Sequence, residues 1–240
     1  MNRPLDELTN DLKALFTEFL DNLSEVQTKP QVNGLISIEV GGVRQDFRWI
    51  KPDTFQMGSP SNEPERDINE YLHQVTITKS FWLADTPVTQ AFWEAVMGEN
   101  PSKFKGADHP VTNVSWRGAQ DFIHKLNEQM DGFKLRLPTE AEWEYACRAG
   151  SRTPFWFGEN ITPEQVNYNS EYPYADGEEG HFRDEIIEVK ALPCNSWGLY
   201  QMHGNVWEWC QDWYGDYQED LVINPEGPQT GDDRVLRGGS

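Results

Sequence analysis

The sequence predicts an α+β fold, rich in loops and poor in long regular elements. Three observations predict it. Apolar residues alternate in short runs through the first third of the chain. Three segments in the middle carry helix start and stop signals. Everything beyond Gly150 reads as turns and short strands. Strand and helix signals do not alternate regularly enough for a doubly wound parallel sheet.

In chain order, residues Asp6 to Val26 read as an amphipathic helix. Leu8, Leu12, Leu15, Phe16, Phe19, Leu20 and Leu23 share one face at spacings of three and four. Such a helix docks either on its own domain or on a partner helix, and the pattern favours neither. A polar link through Lys29-Pro30 and Gly34 follows. Ile36, Ile38 and Val40 then alternate, Gly41-Gly42 turns, and Phe47, Trp49 and Ile50 resume, which is a hairpin signal. Phe55 to Ser59 leads into a charged loop from Ser61 to Glu70, and Val75, Ile77 and Phe81 mark the next strand.

Thr89 is placed to cap a helix that carries Trp93 and Val96 and ends at Gly98. Ser115 is placed to cap a longer one, with Ala119, Phe122, Ile123 and Leu126 facing inward. Thr139 and Glu142 have capping-box spacing, so a short helix runs from Glu140 toward Arg148 and stops at Gly150. No internal repeat is evident.

Composition narrows the function. The 240 residues include 10 Trp, 12 Phe and 8 Tyr, enough for a core, beside 19 Gly and 15 Pro. Mean hydropathy is −0.72, so aromatics must pin many turns. The formal charge of −20 repels nucleic acid and anionic membranes; divalent cations or basic partners, such as a protein or peptide ligand, suit it better. Three cysteines, Cys147, Cys194 and Cys210, make neither a C-x-x-C pair nor zinc spacing. Cys147 and Cys210 read as small buried hydrophobes, and Cys194 as the exposed one. No stretch reads as a signal peptide or a bilayer span, so a cytoplasmic location is the default expectation.

The densest run is Gly198 to Tyr214, with Trp207 and Trp209 on either side of Glu208 around a Gly204-Asn205 turn. Large aromatics bury much area, so this run is expected at the centre of the fold. A carboxylate between indoles needs a cation, backbone N–H groups or a metal ion. His203, within the same turn, is expected to face solvent.

Four ordered motifs now add up to a family. They are Arg136-Leu137-Pro138-Thr139-Glu140-Ala141-Glu142-Trp143-Glu144-Tyr145-Ala146, Asn195-Ser196-Trp197-Gly198-Leu199-Tyr200, Gly204-Asn205-Val206-Trp207-Glu208-Trp209, and Arg234-Val235-Leu236-Arg237-Gly238-Gly239-Ser240. Met57-Gly58-Ser59, Pro87-Val88-Thr89 and Pro110 to Trp116 extend them upstream. Together they resemble the formylglycine-generating enzyme, or sulfatase-modifying factor, family over roughly Gly42 to Ser240. The resemblance implies a C-type-lectin-like α+β fold. It implies two units: residues 1–30 as helix and linker, and 31–240 as the family domain, C-terminally incomplete.

The resemblance also implies calcium. The backbone carbonyls of Gln201, Gly204 and Val206 would join the Glu208 carboxylate as ligands, an oxygen-only set suited to a hard cation. Asn167 and Tyr168 correspond to the start of a second calcium site, completed by the acidic loop Asp176 to His181. Active members of the family oxidise a substrate cysteine with copper held by two cysteines just beyond the segment matching Arg237 to Ser240. Neither is within this sequence, so copper is not expected in this chain. The five histidines lie apart and form no H-x-x-x-H set, and neither a G-x-S-x-G nor a phosphate loop appears. The reading is a non-catalytic, calcium-stabilised scaffold that binds a ligand or protein, as in the variable proteins of diversity-generating retroelements. The alternative is a formylglycine-generating oxidase recorded without its catalytic cysteines.

Overall fold

The computed structural model describes residues 34–130, 132, 134–217 and 221–239. The expected helix at residues 6–26 lies outside them.

Among the described residues, eight short strands and three helices carry the fold. The first hairpin forms as predicted: β1 (Leu35–Val40) pairs antiparallel with β2 (Val43–Ile50) across Gly41-Gly42, both at positive φ. The region expected to hold one strand around Val75 to Phe81 holds two. β4 (His73–Ile77) pairs with β3 (Asp53–Met57), whereas β5 (Phe81–Ala84) joins β2. A break after Ile77 lets the chain change sheets, which no hydrophobic count in that window shows. The β1-β2-β5 sheet and the β3-β4-β7 sheet, closed by β7 (Val222–Ile223), are both three-stranded. β6 (Glu208–Trp213) and β8 (Arg234–Arg237) form a separate antiparallel ribbon.

The three helices start where their caps predict. Thr89 accepts from Phe92 N to open α1 (Gln90–Met97), which ends on left-handed Gly98. Ser115 accepts from Gly118 N to open α2 (Trp116–Gln129). Thr139 and Glu142 exchange both capping-box bonds at the head of α3 (Glu140–Arg148). The end of α3 differs from expectation. Ala149, not Gly150, takes the left-handed cap at φ 47°, and its N–H bonds the Tyr145 carbonyl, satisfying a terminal acceptor.

Two cores follow. One packs Ile36, Ile38 and Phe47 against Phe92, Trp93 and Val96 of α1 and Phe122 and Leu126 of α2, with the Trp93 and Phe122 rings stacked 4.8 Å apart. The other surrounds α3: Ala141, Trp143, Tyr145, Ala146 and Cys147 meet Ile50, Met57, Val75, Leu199, Met202, Cys210 and Val235. This second core holds the aromatic run against α3. Among the described residues no helix is long and apolar enough to cross a membrane.

Candidate functional site

The site is built where α3, the Gly204 turn and β8 converge. The i, i+4 spacing puts Glu140 and Glu144 on one face of α3, and both meet Arg237 of β8. Arg237 Nη2 donates to Glu144 Oε2 at 2.6 Å, and Nη1 to Glu140 Oε1 at 3.2 Å. Glu144 is fully engaged, since its Oε1 accepts from Gly58 N at 2.9 Å and Arg148 Nε at 2.8 Å. Burial alone would raise the Glu144 carboxyl; Arg237 and Arg148 overcome it and hold the group below its ordinary value. Glu142, between them in sequence, points the other way and pairs with Arg136 at 2.6 Å. At the head of α3, Glu140 N donates to Asp212 Oδ2 of β6 at 2.9 Å. The signature motif of α3 thus clamps three chain segments together.

The turn at Gly204 sits beside this clamp. Gly204 N donates to the Gly238 carbonyl and Asn205 N to the Asn167 carbonyl, both at 2.7 Å. Gly204 has φ +73°, and a Cβ there would collide with the Asn167 carbonyl. Only glycine meets both requirements.

Glu208 reaches into this corner. Its Oε2 accepts from the Trp143 indole N–H at 3.1 Å. Its Oε1 is buried without a partner among the described residues. Burial pushes the carboxyl up to about 7 against the opposing Trp143 bond. Gly238 lies directly beneath: a Cβ there would stand 2.9 Å from the Val206 carbonyl oxygen and 3.9 Å from Glu208 Cγ. An orphaned carboxylate oxygen and a nearby carbonyl fit a hard, oxygen-seeking cation. Among the described residues no three His, Cys, Asp or Glu side chains converge on a metal position. An ion here would rest on Glu208 and on backbone oxygens.

The other residues singled out from the sequence take varied positions. Gln201, at φ +53°, spends its side chain on the turn: Oε1 accepts from Asn205 Nδ2 at 2.6 Å, and Nε2 donates to the Glu188 carbonyl. The Gly204 carbonyl accepts from Val206 N at 2.9 Å. Asn167 is buried and brought to the same turn, where its Nδ2 donates to Asn205 Oδ1 and to the Glu185 carbonyl. Tyr168 instead donates its hydroxyl to the Ile161 carbonyl at 3.3 Å.

Two expectations are corrected. The aromatic run does not lie wholly at the centre, since Trp207 is 58% and Tyr214 55% exposed. Both flank β6 (Glu208–Trp213) rather than lie within it, outside the stretch that pairs with β8. The indole that contacts the Glu208 carboxylate therefore comes from Trp143 of α3, distant in sequence. His203 does not face solvent. It packs edge-on against Phe155 and Phe157, with Cys147 Sγ 3.5 Å from Nε2. Burial, aided by Arg148 and Arg237, lowers its pKa to about 4.

The cysteines lie as expected, with Cys147 and Cys210 buried and Cys194 partly exposed, all free. Burial pushes the Cys147 and Cys210 thiols up, away from thiolate character.

The description of the sulfatase-modifying factor enzyme 1-like domain matches residues 43–240. The chain belongs to this family. Its sequence is 35% identical to the formylglycine-generating enzyme of Mus musculus over 179 residues, covering 72% of this chain and 45% of that protein. The chain spans about half the length of the curated relatives it matches. Among solved structures it is similar to Treponema denticola variable protein 1, with TM-score 0.68 and 28% identity, covering 86% of this chain and 87% of that one. PvdO from Pseudomonas aeruginosa gives TM-score 0.69 at 24% identity over 87% of each chain, a likeness of fold alone. The loop-rich α+β architecture read from the sequence is the sulfatase-modifying factor fold. Trp143, Arg237 and Gly238 stand in motifs far from Glu208 in sequence, and no spacing places them at its corner. Only folding brings α3 and β8 to it.

Proposed function

We propose that this sulfatase-modifying factor domain is a calcium-stabilised scaffold that binds a protein or peptide ligand, in the manner of a variable protein. The observation that carries the calcium is the buried Glu208 carboxylate with one oxygen unpartnered among the described residues. An ion held by Glu208 and by carbonyls of the Gly204 turn would neutralise that charge and lock the turn to α3 and β8. Asn167 belongs to the same turn by hydrogen bonding and supports this site. Tyr168 is engaged elsewhere.

The likeness to Treponema denticola variable protein 1 over 86% of the chain supports the binding role. The charge of −20 favours a basic peptide over nucleic acid or an anionic membrane. Within the described residues the thiols stand apart and two are held protonated by burial. They offer no dithiolate for copper.

Calcium titration by calorimetry on wild type and Glu208→Gln tests the metal. Binding by wild type and none by the variant is expected; equal heats from both would refute the site. The second reading, oxidation of a sulfatase cysteine to formylglycine, is favoured by the 35% identity to the mouse enzyme. Incubating the chain with copper, oxygen and a C-x-P-x-R peptide separates the two. No aldehyde is expected, and turnover by these 240 residues would overturn the scaffold reading.

A further inference from the structure

The β3-β4-β7 sheet packs one face on the α3 core and leaves the other open among the described residues. In β4, His73, Val75 and Ile77 are buried, so alternation turns Gln74 and Thr76 outward, with Leu72 just ahead of them. The Thr54 and Thr76 hydroxyls meet at 2.9 Å on that outer face. β7 keeps the alternation: Val222 packs on the core, whereas Leu221 is 55% and Ile223 60% exposed. Of the eleven large hydrophobics exposed among the described residues, six lie on this face or in the segments that border it. They are Ile68, Tyr71, Leu72, Tyr214, Leu221 and Ile223. Asn69 Nδ2 donates to the Tyr214 hydroxyl at 2.5 Å, which joins the loop before β4 to the end of β6. Exposed apolar residues scattered singly are ordinary; gathered ones mark a contact surface.

β7 is also a sheet edge, bonded to β4 alone. Asn224 N donates to the Thr76 carbonyl at 2.9 Å, so alternation points the N–H and C=O of Ile223 away from β4. An edge of this kind is a template for a further strand.

We propose that this edge and face take up an extended, basic protein segment by strand addition, its apolar side chains lying on Leu72, Leu221 and Ile223. Such a segment is the ligand of the scaffold reading above, on which its assignment rests. Charge selects it over a second copy. Exposed Glu65, Asp67 and Asp216 border the Leu72 end, and Arg66 there is spent on the Ser59 hydroxyl and the Glu70 carbonyl. At the other end exposed Glu226 follows β7, and Lys79 follows β4. Two copies, each at −20, would bring acidic rims together, whereas a lysine-bearing strand is drawn in. β7 spans two residues, so main-chain pairing fixes register and the apolar contacts carry most of the affinity.

The test uses the whole chain and a fluorescein-labelled peptide of alternating lysine and valine, read by anisotropy. Wild type should bind it, and Leu72→Ser/Ile223→Ser should bind at least about tenfold more weakly with an unchanged melting curve. Asp67→Lys/Asp216→Lys leaves the apolar face intact and should weaken binding several-fold. Phe104→Ser/Tyr172→Ser, at exposed apolar residues elsewhere, should bind as wild type does. A glutamate–valine peptide should not bind, and methylating alternate peptide amides should weaken binding several-fold. No binding by wild type, or equal binding of the glutamate peptide, would overturn the proposal. A dimer in sedimentation that Leu72→Ser/Ile223→Ser dissolves would assign the face to a second copy and overturn it. Leu72 and Ile223 shielded from hydroxyl radicals in the free monomer would show the chain's own cover, and overturn it too. Peptide binding that survives Leu72→Ser/Ile223→Ser removes this surface and leaves the scaffold standing; aldehyde formation removes the scaffold instead.

Discussion

Replacing Glu208 by Gln should raise stability in chelator and remove its dependence on calcium. The carboxyl rises from the ordinary glutamate value to about 7 in the fold because burial disfavours its charge. The folded state therefore keeps a proton that the unfolded chain gives up. This contribution is intact below the unfolded pKa and is lost as pH rises through about 7. A shift of that size costs about 3 kcal/mol at pH 8 without a cation. Gln keeps the shape and the Trp143 contact but carries no charge. In chelator at pH 8 the variant should thus melt above wild type. With calcium at a hundred times its dissociation constant, wild type gains about 3 kcal/mol, or about 5–10 °C for a chain of this size, and Gln gains little. Differential scanning calorimetry at pH 8, with and without calcium, reads both arms. Superimposed wild-type curves, or an equal calcium gain in the variant, would refute the reasoning.

Arg237→Met should destabilise by about 3–5 kcal/mol, because it strands the buried Glu144 and Glu140 carboxylates; urea midpoints check this, and a loss below about 1 kcal/mol would count against the clamp. Gly204→Ala should cost more than the roughly 1–2 kcal/mol of holding a non-glycine residue at a left-handed φ, since its Cβ also meets the Asn167 carbonyl; thermal melts decide, and Gly42→Ala, left-handed but with nothing within 4 Å, is the control. His203 is held neutral down to about 4, so its contribution is full above the ordinary histidine pKa and drains away as pH falls through about 4, up to about 3 kcal/mol. His203→Phe should flatten the stability profile between pH 4 and 6.5 in denaturant titrations; an unchanged slope would sink this assignment.

Local chemistry was legible because its causes are local. A Thr or Ser hydroxyl three residues before a free N–H caps a helix whatever lies far away, and all three caps of α1, α2 and α3 sit where the sequence puts them. The first hairpin is likewise written in alternation and a Gly-Gly turn. The split of Val75 to Phe81 between two sheets was not legible, because sheet membership depends on partners tens of residues away. The fate of Trp207 and His203 was hidden for the same reason. Residue type states how much apolar area is at stake, not which neighbour covers it.

The sequence by itself determined the family, the helix caps, the turn glycine and the suspicion that falls on Glu208, since these follow from residue type and short spacing. Tertiary structure alone decided that Trp143 supplies the indole, that Arg237 bridges Glu140 and Glu144, and that one Glu208 oxygen is buried with no partner among the described residues. Those are long-range meetings, fixed by packing of α3 against β6 and β8, and no window of the chain contains both participants.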